Sequence, residues 1–244
     1  MNIYDYSIVP NTENLPGIPA RVTAVHKERY EIVCEYGITH ARLKTKERCC
    51  GVYETKKEGD LVMERTIKSM EEKYLVPALD LVEAVFTAHE NAREGKLVRR
   101  LVEEIRSKRF YIPELELIMV DENDEVIGFV MFARFHLEGR YENELLLLSP
   151  VAVKTELQRQ HISRELIEYG FEKAREMGYK AVIVEGNPMN YRSRGFVTSA
   201  DHGITAHESV GLPAPECLMV MELLPGGLEG IHGQVSYSDY QALR

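Results

Sequence analysis

The apolar and polar positions of the chain change their spacing near residue 65, which divides the sequence into two parts. Between residues 20 and 46, apolar and polar side chains alternate around a Glu-Tyr-Gly turn. Alternation of this kind predicts half-buried strands, here three short antiparallel ones. A fourth strand is predicted at residues 61 to 63, so residues 20 to 64 should form a small barrel or curled sheet.

Helix and strand patterns follow one another in the second part of the chain. Apolar residues at helical spacing predict one helix from Lys73 to Phe86 and another from Leu97 to Ile105, joined by a polar loop at residues 89 to 95. Short apolar runs bounded by turn residues predict strands, the last two of them joined by an Asp/Glu/Asn hairpin. These strands are placed at residues 66 to 70, 115 to 120 and 126 to 135.

The stretch from Glu144 to Leu166 predicts a buried strand, an ordered turn and a helix. Ser149 and Pro150 interrupt the apolar strand, and because proline removes a ladder donor, the strand should kink there. Apolar residues at helical spacing then predict a helix that begins near His161. The unpaired N–H groups at such a helix start attract anions, phosphates above all.

A short apolar strand at residues 181 to 184 is predicted to be the parallel neighbour of the kinked strand. The helix between the two should run to Met177 and end at Gly178. A kink beside a parallel neighbour leaves a wedge between the strands, with the helix start aimed at one end of it. Residues 186 to 196 are predicted to form a loop, and a last strand is expected at residues 217 to 223.

Composition and charge narrow the class of protein. The chain has 244 residues, enough for one large domain or two unequal ones, and its four cysteines show no metal-finger spacing. Without a signal-peptide pattern or a long apolar run, a cytoplasmic protein with no membrane span is expected. The net charge of −9 suits a cationic substrate better than a polyanion.

The predicted domains are a proline-containing lead-in at residues 1 to 19, a small β domain at residues 20 to 64 and a larger domain at residues 65 to 244.

The small β domain resembles the N-terminal OB-fold domain of the ribosome-small-subunit-dependent GTPases. The resemblance lies in PARVTAVHKERYEIVCEYGITHARLKTK together with EGDLV. No GxxxxGK[ST] motif follows, so the GTPase activity of that family is not carried over. An OB fold implies contact with RNA or the ribosome, which the interleaved basic residues and tyrosines would serve. The alternative is an ordinary solvated barrel surface with the tyrosines in its core.

The larger domain resembles the GNAT N-acetyltransferase superfamily. The residues that carry the resemblance are the strand LLLLSPVAV, the turn from Gln158 to Ser163 and the segment from Tyr191 to Phe196, with flanking stretches such as FYIPELELIMVDENDEVIGFVMF. The implied fold is α/β in the α+β sense, a mixed twisted sheet flanked by helices, preceded here by the OB-like barrel. The implied activity is transfer of acetyl from acetyl-coenzyme A to a primary amine, of a small molecule or a protein, by direct attack of the amine.

The resemblance also implies where acetyl-coenzyme A would bind. The implied residues are Val151, Ala152, Val153, Gln158, Arg159, Gln160, His161, Ile162, Ser163 and Asn187. The family has Q/R-x-x-G-x-G/A at the turn, whereas His161 and Ser163 replace both glycines, which are favoured where a pyrophosphate lies against the backbone. A serine in the first helical turn and a histidine at the helix start can still donate to phosphate. Asn187 either bonds the pantetheine arm or forms a loop with the proline that follows it.

Three chemical roles follow from the resemblance. Strand N–H groups freed by the kink, near Val151 to Val153, would hold the carbonyl oxygen. Tyr191 matches the family tyrosine that protonates the departing thiolate, unless it only packs beside Phe196. A carboxylate must take the proton of the attacking ammonium. Glu185 is best placed because it ends the central strand, with Glu90 and Glu144 as alternatives, and each of the three is otherwise a solvated surface glutamate.

Other chemistries find little support in the sequence. The histidines show no HExxH pattern, so no metal site is expected, and the absence of a G-x-S-x-G elbow disfavours a nucleophilic hydrolase. A rival hypothesis is a non-catalytic module with a degenerate acyl-coenzyme A site, which docks on RNA or the ribosome through residues 20 to 64. A third hypothesis combines both activities. The sequence leaves the acceptor and the oligomeric state open.

Overall fold

The chain separates into two compact units in its computed structural model, Met1–Val62 and Met63–Arg244. The structure describes residues 64–243 and, before them, only the backbone of four strands. These are β1 (Asp5–Ile8), β2 (Ile18–His26), β3 (Arg29–Cys34) and β4 (Gly37–Arg42), which pair in that order as an antiparallel sheet.

Three of these strands, β2 to β4, occupy the region where three antiparallel strands are predicted. Strand β1 lies within residues 1 to 19, for which no regular structure is predicted; its backbone pairs with the start of β2, a non-local contact that a local pattern does not report. The predicted fourth strand at residues 61 to 63 and the closure of a barrel lie outside the described residues.

The larger unit is built on a mixed sheet of seven strands. In chain order, the strands of this unit are β5 (Arg65–Ser69), β6 (Glu116–Asp121), β7 (Val126–Leu137), β8 (Arg140–Val153), β9 (Ala181–Glu185), β10 (Val197–Thr198), β11 (Ile204–Ala206), β12 (Leu218–Glu222) and β13 (Gly233–Val235). The sheet order is β10-β12-β9-β8-β7-β6-β5, and β11 pairs with β13 separately. Within the seven-stranded sheet only β8 and β9 are parallel neighbours, which confirms the predicted parallel pair.

Within residues 64–243, four α-helices accompany the sheet: α1 (Leu75–His89), α2 (Ala92–Arg106), α3 (Ile162–Glu176) and the short α4 (Pro188–Tyr191). The strands present apolar side chains to both faces, as the unbroken apolar run in β8 predicts. Leu145 and Leu147 belong to the cluster that includes α1 and α2, whereas Leu146 and Leu148 belong to the cluster that includes α3. Among the described residues, no helix combines the length and the hydropathy that crossing a lipid bilayer requires.

Two predicted loops are shorter than expected, because caps start a helix inside each of them. Asn91 accepts hydrogen bonds from the N–H groups of Arg93 and Glu94, so α2 begins at Ala92. Asn187 accepts from the N–H of Met189, and Pro188 stands at the first helical position, so the predicted loop from 186 to 196 contains α4. A 3₁₀ turn, Arg192–Arg194, continues it.

A buried carboxylate joins α2 to the sheet. Glu116 of β6 is fully buried, and its Oε1 accepts from Nε and Nη2 of Arg106 at 3.0 and 2.6 Å. Its Oε2 accepts from the Tyr111 hydroxyl at 2.6 Å. Burial, together with this hydrogen bond to Glu116, raises the pKa of Tyr111. The position of α2 therefore depends on a buried ion pair whose remaining lone pairs are also used.

Replacing Glu116 by Ala should lower the free energy of unfolding by about 3–5 kcal/mol, because it leaves the Arg106 guanidinium without its buried counter-ion. Glu125 offers a matched control, since its ion pair with Lys154 at 3.0 Å is largely exposed and its removal should cost about 1 kcal/mol at most. Urea unfolding of the two variants measures both free energies. Equal losses would show that the buried ion pair contributes no more to stability than the exposed one.

Candidate active site

The site begins where β8 separates from β9. The two strands pair at Leu145↔Ala181, Leu146↔Val182 and Leu147↔Ile183, and no pair follows. On its other side β8 stays paired with β7, but the register shifts by one residue around the cis peptide bond between Ser149 and Pro150. An extra residue in one strand of an antiparallel pair bends that strand. The predicted kink is confirmed, and it opens the predicted wedge.

Two cavities meet at this wedge. The helix-start cavity, about 780 Å³, is bounded by the turn before α3, the first turn of α3 and the end of α1. The strand-end cavity, about 850 Å³, is bounded by α2, the end of β9 and the C-terminal segment. Both are lined by Phe86, Glu90, Val151, Asn190 and Tyr191. Tyr191 therefore stands where a molecule in one cavity would meet a molecule in the other.

The turn before α3 has an unusual backbone. Arg159 and His161 both adopt left-handed conformations, with φ of 65° and 63°. His161 stands at one of the two positions where the resemblance predicts glycine, and its backbone takes the conformation that glycine favours. The turn thus keeps the shape expected of the glycine-containing motif without the glycine. Successive N–H groups in right- and left-handed conformations form concavities that bind anions.

Arg194 lies against the first turn of α3. Its Nη2 donates to the Ser163 hydroxyl at 3.2 Å and its Nη1 donates to the carbonyl of Asn190. Its Nε is buried and has no hydrogen-bond partner among the described residues. Burial lowers the pKa of this guanidinium. Arg194 thus brings a partly desolvated cation and an unused donor to the helix-start cavity.

Tyr191 is held by packing on two sides. Its ring meets that of Phe196 edge-on at a centroid distance of 5.5 Å. On the other side lies Gly186, where a Cβ atom would come within 2.8 Å of Tyr191 Cε2, so only glycine allows this approach. Burial raises the pKa of Tyr191, opposed by the charge of Arg194. The tyrosine both packs beside Phe196 and faces the two cavities.

Most of the predicted coenzyme residues lie together. Those lining the helix-start cavity are Val151, Val153, Gln158, Arg159, His161, Ile162 and Ser163. Gln158 is oriented by His89, since Nε2 of each lies 2.9 Å from the other.

Three predicted coenzyme residues are placed differently. Ala152 is buried in the core, so only its backbone can serve the site. Gln160 lines neither cavity. Asn187 lines the strand-end cavity, but its Oδ1 is already used to cap α4.

The three candidate carboxylates differ in whether they line the cavities. Glu185 lines the strand-end cavity beside Tyr237, whose pKa is raised by burial and by the charge of Glu185 and its hydrogen bond. Glu90 lines both cavities. Glu144 lines neither; it lies before the paired part of β8, 3.9 Å from the Lys180 ammonium. The structure therefore brings Glu185 and Glu90 to the wedge and leaves Glu144 away from it.

Sequence reasoning assigned no role to Arg194, Glu94 or Tyr237, all of which line the cavities. Arg194 belongs to the segment that carries the resemblance, so the sequence could have pointed to it. Its contact with Ser163 depends on the fold and has no signal in the sequence. Glu94 and Tyr237 come from distant elements and leave no local signal. Within residues 64–243, no group of three or more His, Cys, Asp or Glu side chains is arranged to hold a metal ion.

Comparisons with known proteins agree with this geometry. The model of the acetyltransferase (GNAT) family matches residues 80–200. The uncharacterized N-acetyltransferase YjhQ of Escherichia coli K12 is 30% identical over 148 residues, which is 60% of this chain and 79% of that protein. The chain belongs to the GNAT acetyltransferase family.

Two further GNAT proteins are similar to this one. The uncharacterized N-acetyltransferase YhbS of E. coli K12 is 29% identical over 148 residues, 60% of this chain and 84% of that protein. The crystal structure of E. coli YhbS in complex with CoA matches with a TM-score of 0.64 and 25% identity, covering 75% of this chain and 94% of that one. A Brucella melitensis GNAT acetyltransferase in complex with acetyl-CoA has the same fold, with a TM-score of 0.54, 22% identity and coverage of 74% and 99%.

The left-handed backbone at His161 should cost a measurable part of the free energy of unfolding. His161→Gly should leave the free energy of unfolding unchanged or raise it by up to about 1 kcal/mol, because glycine adopts this φ without a steric penalty. Gln160→Gly, one residue earlier and outside the left-handed region, should instead lower it by about 0.5–1 kcal/mol through chain entropy. Denaturant unfolding compares the two, and equal losses would mean that His161 carries no strain.

Proposed function

We propose that this GNAT protein transfers acetyl from acetyl-coenzyme A to a primary amine by direct attack of the amine. The observation that carries the proposal is the meeting of two cavities of opposite character at Tyr191, beside the separated strands. Three arginines line the helix-start cavity, and three glutamates line the strand-end cavity. An anionic coenzyme fits the first and an ammonium the second. The similarity to YhbS, which was crystallised with CoA, supports the same assignment.

The coenzyme end is served by the start of α3. Its unpaired N–H groups and the turn at Arg159 and His161 favour an anion. Arg194 adds a buried Nε that has no partner within the described part of the chain, as expected of a group that binds a ligand oxygen. The Ser163 hydroxyl, at 3.2 Å from Arg194, completes a polar lining where the family has glycine. These residues fit a pyrophosphate despite the missing glycines.

The chain supplies three groups to the reaction, and acetyl-coenzyme A supplies the thioester. Glu185 takes the proton of the acceptor ammonium, directly or through water, and the freed nitrogen bonds to the thioester carbon. Backbone N–H groups near Val151 to Val153, on the side of β8 that has no β9 partner, stabilise the negative oxygen. As the carbon–sulfur bond breaks, Tyr191 donates its hydroxyl proton to the sulfur. The attacking nitrogen, which still carries one proton more than the amide, releases that proton through water to the Tyr191 oxygen, and Glu185 returns its own proton to solvent. Glu90, which lines both cavities, is the alternative base.

Docking on RNA or the ribosome has no observation in its favour. The basic and aromatic side chains on which that hypothesis depends belong to residues 20 to 64, and these side chains lie outside the described residues. The proposed activity rests on residues 64–243 alone.

Tyr191→Phe tests the proposed acid together with the function. Acetyl-coenzyme A should raise the melting temperature of both wild type and variant, and wild type should release thiol in the presence of a suitable amine. The variant should lose about 10²-fold or more in kcat with little change in KM for the coenzyme, since only the acid is removed. If acetyl-coenzyme A has no effect on the melting temperature of either protein, the proposed function is wrong. If the variant keeps its full rate, Tyr191 is not the acid.

The pH dependence offers a separate check. An acid must be protonated to act, and a raised pKa keeps Tyr191 protonated beyond its ordinary value of 10.0. The rate should therefore show no loss assignable to Tyr191 up to about pH 10 and should fall only above it. The measurement is kcat against pH for wild type and Tyr191→Phe at saturating substrates. A fall well below pH 10 that the variant lacks would contradict the assignment.

A further inference from the structure

The strand-end cavity is apolar along its walls and acidic at particular points. Leu97, Val98 and Leu101 of α2 line one wall, and Leu148 of β8 lines another. Glu185 lies at the end of β9, which places it at the reacting end beside Tyr191. Glu94 lines the same cavity from the first turn of α2. An acceptor in this cavity therefore meets both apolar side chains and carboxylates.

Glu94 differs from the other acidic residues of α2. Glu104 pairs with Lys108 at 2.9 Å, and Glu103 lies 3.7 Å from Arg99. Glu94 as a residue is half-buried, yet its carboxylate has no hydrogen bond or ion pair among the described residues; only its backbone N–H is used, by the cap residue Asn91. A partly buried carboxylate beside apolar side chains is costly unless a counter-charge reaches it. The start of α2 supplies only the partial positive charge of its N–H groups, and no side chain among the described residues pairs with Glu94.

The fold also fixes the backbone at Glu94. The next residue, Gly95, is buried where α2 crosses α1, and a Cβ atom there would lie 2.1 Å from Thr87 Oγ1 and 2.5 Å from the Glu83 carbonyl oxygen. The cap at Asn91 sets the start of the helix one turn earlier. The backbone at Glu94 is fixed between these two contacts, so binding a cation does not require the helix to move.

We propose that Glu94 is a specificity-determining residue, which binds the second ammonium of a diamine acceptor whose first amine is acetylated at the wedge. The inference rests on the proposed function and names the acceptor class for the same site. The apolar walls between Glu94 and Glu185 accommodate the aliphatic chain that separates the two amines. A monoamine of the same length satisfies the reacting end only, and it leaves Glu94 without its counter-charge.

The test compares 1,5-diaminopentane with pentylamine, which differ only in the second amine. Calorimetric binding in the presence of CoA and initial rates of thiol release are measured for both. Wild type should prefer the diamine, and Glu94→Gln should reduce the ratio of diamine to monoamine affinity about tenfold, the loss expected for one hydrogen bond to a charged group. Glu103→Gln is the matched control, an exposed glutamate of the same helix outside both cavities, and should leave that ratio unchanged.

The outcomes separate this inference from the proposed function. Equal affinity of wild type for the two amines, or an equal loss for both amines in Glu94→Gln, overturns the role of Glu94. A general structural defect would also lower the melting temperature and affect the two amines alike. Diamine binding that depends on Glu94, without any thiol release, supports the inference and overturns the transfer reaction. Thiol release with neutral or monoamine acceptors alone supports the reaction and overturns the inference.

Discussion

Strands β8 and β9 share three residue pairs and then separate, and the site depends on that separation. A parallel pair that continued would use the backbone groups of both strands in the ladder and close the sheet. The extra residue in β8 around Ser149 and Pro150 turns the strand away while β7 keeps hold of its other edge. Backbone groups of β8 are thereby left without a β9 partner, while the pairing with β7 holds the strand in place.

The helices give the two sides of this opening different electrical character. Helix α3 packs on one face and directs its N-terminus, with Arg159, Arg164 and Arg194 nearby, to the helix-start cavity. Helices α1 and α2 pack on the other face and bring Glu90 and Glu94 to the strand-end cavity. The arginines line the helix-start cavity and Glu94 and Glu185 line the strand-end cavity, and the two cavities share the residues at the opening, among them Glu90 and Tyr191. An amine and an acyl donor of opposite charge can thus be bound side by side without competing.

Local patterns predicted the parts of the site that lie on one continuous stretch. Pro150 predicts the kink, and the spacing of Ile162 and Leu166 predicts the helix start one residue from its observed position. The run after Gly186 contains a glycine, a proline and two asparagines, which indicate a loop, whereas Asn187 and Pro188 act as a helix start. The same residue types serve turns and caps, so composition alone does not separate the two.

The sequence by itself determined the order of the elements from β5 to β9, the kink in β8 and the turn that precedes α3, since each follows from residues close together in the chain. Only the tertiary structure decided which carboxylates reach the wedge. Glu144 and Glu185 both flank apolar strand residues, yet parallel pairing sets them at opposite ends of the paired segment. Glu94 and Tyr237 join the site because helix packing and the return of the C-terminal segment bring them there. Such contacts depend on burial summed over the whole core, which no local pattern contains.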